Sequence, residues 1–156
     1  MFRIIRLIAV LGSGLLAGIY LADRAMADAR VSLDPSSFIA FQQTVHVTYV
    51  RMMPILLITA IVATILWLIL IRQKRRTVGF WLAAASLVGL FSIVAVTASV
   101  NVPLNNELMT WNAAAPPANL MTIWAPWERI DGIRTVICIA VFFLQAANIS
   151  FSGNEI

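Results

Sequence analysis

The chain has 156 residues, of which 61% are apolar and only 12% charged, with a mean hydropathy of +0.90. Soluble domains carry roughly a quarter charged residues, so a water-soluble globular protein is excluded and a single-domain integral membrane protein is expected. The net charge of +4 does not indicate nucleic acid, because Arg72, Lys74, Arg75 and Arg76 crowd into one linker between apolar runs, as in a loop facing anionic lipid headgroups. Cys138 is the single cysteine, which rules out an intramolecular disulfide and a Cys-pair redox mechanism.

Four segments approach or reach the roughly 17–25 residues that cross a bilayer: 4–22, 53–71, 78–100 and 133–151. They predict an all-α membrane four-helix bundle within one domain, residues 1–156. The first segment, with its basic start and Ala25-Met26-Ala27, also fits a signal sequence. Against that reading, Gly14, Gly18 and Ala22 form a stripe of small residues, the kind of face that lets another helix, or a second copy, pack closely. The second helix is predicted to start well before its span, at Asp34-Pro35-Ser36, as an outward-facing amphipathic segment. Gln42, His46, Tyr49 and Met53 then share one face, at the mouth of the bundle or simply in water. Pro54 is expected to bend or break this helix.

The third span is expected to stop near Asn101, because Pro103 disfavours helical geometry at Val102. Asn105 would cap a short new helix with Glu107 in its first turn. About thirty residues, 101–132, then form a long cap loop before the fourth span, far longer than the usual connection. Its tryptophans would sit at headgroup level. Along the fourth span Arg134, Cys138, Gln145 and Asn148 make a polar stripe that must face the bundle interior, with Gln145 and Asn148 as interhelical glue. Arg134, at the outer end, suits either a salt bridge to Asp131, Glu128 or Glu107, or a substrate oxygen. Arginines at 3, 6 and 72–76 put both termini and the central loop in the cytoplasm of a multi-pass protein of bacterial inner-membrane type, and 23–52 and 101–132 outside. Six of the seven acids, all but Glu155, fall in those outer connections, leaving none within a span.

The block "NVPLNNELMTW" (101–111), followed by "WERIDGIR" (127–134) and preceded by "FQQTVHVTYVRMMP" (41–54), resembles the anthrone oxygenase-like family of small four-span membrane proteins. The resemblance covers most of the chain. It implies a polyketide-tailoring type of oxygenase that converts an anthrone to an anthraquinone with molecular oxygen. The chain departs from the family pattern at Asp131, where histidine is common, which bears on any role that needs a neutral imidazole there.

Such a reaction needs a general base, a cation for the enolate oxygen and an aromatic slot. His46, Glu107 and Asp131 are the candidate bases. Arg134 and Arg51 are candidate enolate stabilisers, with Asn101 and Asn105 as further donors. Gln42 and Tyr49 line the expected mouth, and Trp111 and Trp127 could stack on a flat polycycle or anchor the interface. With one histidine, bis-histidine haem and the two-histidine iron triad are ruled out, and no glycine-rich phosphate loop indicates a flavin or nicotinamide. No cofactor is therefore expected beyond oxygen itself, a His46–carboxylate metal site being the remaining variant. The competing readings are an accessory subunit of a membrane complex, which leaves the polar cap unexplained, and a small transporter, which needs an ionisable group inside a span.

Overall fold

The computed structural model describes residues 1–151, so Glu155 and the C-terminal end, expected in the cytoplasm, lie outside the described residues. The helices are α1 (Phe2–Ala25), α2 (Ala27–Val31), α3 (Pro35–Leu70), α4 (Val78–Val96), α5 (Val102–Leu108) and α6 (Leu120–Phe151). Among the described residues a 3-10 turn (Arg72–Lys74) and a π turn (Thr97–Asn101) complete the helical content, and there is no strand. Four stretches are long and apolar enough to cross a membrane: Phe2–Ala25, Pro35–Leu70, Val78–Leu108 and Leu120–Ser150. They form a ring in which α1 packs on α3 and α6, and α4 packs on the same two.

Local chemistry sets the helix starts. Asp34 accepts hydrogen bonds from the backbone N–H of Ser36 and Ser37, both at 3.1 Å, and Pro35 fills the first helical position where no N–H is needed. The Ser37 side chain first, and then these backbone N–H groups, hold the Asp34 carboxyl below its ordinary value. Thr77 caps α4 through the Phe80 N–H. Within the bundle every polar group is a risk, and here Gln145 and Asn148 of the polar stripe are paired. Ser13 donates to Gln145, which donates to Thr64, both at 2.9 Å, and Asn148 donates to the Gly79 carbonyl. Gln145 and Asn148 thus tie helices together, as a hydrocarbon setting requires. Gly89 lets α4 approach α6 closely, since a Cβ there would come within 2.6 Å of Val141. Gly14 faces the Phe142 ring of the same chain, whereas Gly18 has open space beside it.

α3 has 36 residues, about 54 Å at roughly 1.5 Å per residue, against about 30 Å of hydrocarbon. Its first turns therefore project past the apolar layer, together with α5 and the start of α6. The projecting pieces have their own core of Phe38, Ile39, Leu108, Leu120, Trp124 and Trp127. A separate core of Leu16, Ala17, Tyr20, Ala60, Leu90, Ile93, Cys138 and Val141 fills the middle of the bundle.

Four local expectations change. The helix does not stop at Asn101: Val102 keeps helical angles (φ −63°, ψ −49°) and its N–H bonds the Thr97 carbonyl across a π turn. The wider turn absorbs an extra residue, and Pro103 then lies in the first turn of α5, where a missing N–H costs least. Asn105 consequently sits inside α5 and caps nothing. The segment 101–132 is largely helix, because α5 and α6 run into it and leave only 109–119 irregular. α3 also continues without a break across Pro54.

Candidate functional site

Between the two cores lies a cavity of about 460 Å³. One wall is the α3 face anticipated from its spacing: Gln42, His46, Tyr49 and Met53 all line it. The facing wall carries Asp131 and Arg134 from α6, Tyr20 and Asp23 from α1, Thr97 from the π turn and Asn105 from α5. Leu16, Leu57 and Ile61 belong to the apolar side nearer the bundle centre, and Leu108 and Trp127 to the side nearer the cap.

Asp131 and Arg134 are one helical turn apart, so their side chains meet. Arg134 Nη2 donates to Asp131 Oδ1 at 2.8 Å, and both residues are buried. This selects Asp131 from the three carboxylates open to Arg134. The guanidinium also lies 5.0 Å from the Tyr20 ring centroid and 5.5 Å from that of Trp127, with Nη1 at 3.4 Å from Thr97 Oγ1. Asp131 Oδ2, Arg134 Nε and Gln42 Oε1 are buried with no hydrogen-bond partner among the described residues. Buried polar atoms are nearly always paired, so these two acceptors and one donor are hydrogen-bonding capacity left unused on residues that line the cavity.

A second buried ion network braces this arrangement. Arg30 on α2 donates Nε and Nη2 to the two oxygens of Glu128, at 2.9 and 2.8 Å, and Nη1 to Asp23 Oδ2 at 3.1 Å. Burial opposes the Arg30 charge, but Glu128 and Asp23 outweigh it and raise its proton affinity above that of a free arginine. Glu128 also accepts from Trp124 Nε1 at 3.0 Å. Trp124 stacks on Trp127 with centroids 4.8 Å apart, and Trp127 Nε1 donates to Asn105 Oδ1 at 2.8 Å. The tryptophans thus build the cap's core rather than a headgroup belt.

The structure brings together Gln42, His46, Tyr49, Asn105, Trp127, Asp131 and Arg134. Four other candidates lie off the cavity. Glu107 and Arg51 are exposed, because neither falls on the inward face of its helix. Trp111 packs edge-on against Trp124, and Asn101 is fully buried behind the wall, 3.5 Å from the Trp127 carbonyl. Tyr20, Asp23, Thr97 and the Arg30–Glu128 pair were not anticipated. Asp23 and Arg30, seven residues apart, offered a faint signal, but the link to Glu128 spans 98 positions and no local pattern reveals it. Asp23 and Asp131 sit just outside the expected spans 4–22 and 133–151, towards the cap ends of two helices long and apolar enough to cross the membrane. Among the described residues no three His, Cys, Asp or Glu side chains converge as a metal centre would require.

A family model described as anthrone oxygenase matches residues 41–144, more than half of the chain, including most of the cavity-lining positions. No curated protein and no solved structure matches the chain.

Proposed function

Because the chain belongs to the anthrone oxygenase family, we propose that it is a membrane-embedded oxygenase that oxidises a flat, hydrophobic, anthrone-type phenolic polycycle with molecular oxygen. The observation that carries this reading is the buried Asp131–Arg134 pair, with Asp131 Oδ2 and Arg134 Nε unpartnered, on an otherwise largely apolar cavity. An anthrone methylene next to two rings is acidic, because its carbanion delocalises onto the ketone oxygen. Asp131 takes the proton, and Arg134 stabilises the enolate oxygen with its remaining N–H groups. The electron-rich carbon then reacts with oxygen to give a peroxide, which loses water to leave a quinone carbonyl. One oxygen atom ends in the product, the other in water with both methylene hydrogens, and four electrons pass from carbon to oxygen. His46, half-buried on the opposite wall, is the alternative base.

This chemistry assigns the chain no metal or organic cofactor, oxygen being the co-substrate. Trp127 and Tyr20 offer aromatic surface to a flat ring system. In this reading the cap end faces outward and the basic 72–76 turn faces the cytoplasm.

The test is oxygen uptake by the purified protein in lipid vesicles with anthrone, against the spontaneous rate. Wild-type protein should exceed that rate, and Asp131→Asn should lose about 10²-fold or more, the low end of what a general base supplies. Uptake no faster than spontaneous oxidation by wild-type protein overturns the assignment. Full activity in Asp131→Asn moves the base to His46.

A further inference from the structure

A cavity inside a bundle needs an opening, and its walls show where this one lies. Most inner-wall groups are buried: Leu16, Tyr20, Gln42, Trp127, Asp131 and Arg134 are all at most 8% exposed. Seven other lining residues are exposed: six apolar ones fall in two stripes of equal spacing, and Asn106 continues the second stripe at its cap end. Val50, Pro54 and Ile58 run along α3, and Val94, Ala98 and Val102 along α4, the π turn and α5. Positions four apart share a helix face, so each set forms one edge. The two helices run in opposite directions, which puts Val50 and Val102 at the cap end of both edges and Ile58 and Val94 at the other. α3 and α4 also pack less extensively than any other adjacent pair in the ring.

Resting on the function proposed above, we infer that the substrate reaches the cavity sideways, out of the bilayer, through a slit between these two stripes. The slit spans eight residues of α3, from Val50 to Ile58, which is about 12 Å at roughly 1.5 Å per residue. No charged side chain lies on either edge. Arg51, exposed and next to Val50 but off the edge, puts the cap end of the slit near water, since its charge must reach the headgroups. The opening therefore runs from the interface into hydrocarbon, the depth at which a flat phenolic polycycle partitions. Both edges are also pinned by helix irregularities. Pro54 leaves the Val50 carbonyl without its usual N–H donor, and Ala98 lies within the π turn.

The test measures admission rather than turnover. Ile58→Cys with Val94→Cys, in a Cys138→Ser background, is bridged across the slit by a reducible bifunctional thiol reagent. The protein sits in phosphatidylcholine vesicles, and 1,8-dihydroxyanthraquinone is added as a fluorescence-quenching probe of the cavity tryptophan. The expected result is an association rate at least about tenfold slower when bridged, restored on reduction, with the final quenching unchanged. If the paired variant fails to fold, Ala98→Phe, which plugs the middle of one edge without adding a tryptophan, should slow the same step. Unslowed quenching in the folded bridged protein, or in Ala98→Phe, overturns the lateral route while leaving the oxygenase reading standing. No quenching of wild-type protein at any probe concentration removes the polycycle from the cavity, and the slit's role with it.

Discussion

Arg134→Lys separates a clamp from a brace. Arg134 now gives one short hydrogen bond to Asp131 at 2.8 Å, a long one to Thr97 at 3.4 Å, and lies over two rings at 5.0 and 5.5 Å. Lysine keeps the charge beside Asp131, so the carboxylate is not left buried and unpaired, the change that costs about 3–5 kcal/mol. It loses the Thr97 contact, too long to count for much, and part of two ring contacts worth about 0.5–1 kcal/mol each. The expected destabilisation is about 1–2 kcal/mol, a fall in Tm of about 2–8 °C for a chain of this size. If Arg134 clamps the enolate oxygen, a point charge loses the planar fork, and one misaligned oxyanion donor costs about 10²–10³ in rate. Turnover should therefore drop at least about tenfold, below that range by design, in protein that inserts and folds normally. Thermal unfolding in detergent beside oxygen consumption with anthrone reads both quantities. Unchanged turnover, or a loss of activity that merely follows a loss of folding, would refute the clamp and leave Asp131 and His46 to carry the chemistry.

Glu107 and Arg51 are exposed and off the cavity, so Glu107→Gln and Arg51→Gln should each leave turnover within about twofold, the rate equivalent of roughly 0.5 kcal/mol. A tenfold loss in either would show that the cap rearranges to bring that side chain to the substrate. For orientation, an impermeant thiol reagent applied from outside should label Ala114→Cys and spare Gln73→Cys, both exposed positions at opposite ends of the bundle. The reverse labelling would turn the cap towards the cytoplasm.

The class of this protein and its four spans follow from composition alone, because burying a hydrogen-bonded backbone in lipid leaves a chain this apolar little choice but helices. The face carrying Gln42, His46, Tyr49 and Met53 was legible for a related reason: a 3.6-residue period puts those positions on one side wherever the helix packs. The Asp131–Arg134 contact was legible as one option among three, since adjacent turns of one helix bring residues three apart together. What happens at Pro103 was not legible. Proline chemistry argues for a stop, and only packing of α5 into the cap core makes a π turn preferable to a break. Nor could spacing distinguish Asn105 on the cavity from Glu107 in water, because that depends on the rotation of a seven-residue helix set by its tertiary contacts. The Arg30–Glu128–Asp23 network and the part played by Tyr20 belong entirely to the tertiary structure. They join α1, α2 and α6 across about a hundred positions of sequence, and charge pairing at that distance is decided by where the helices dock, not by any local pattern.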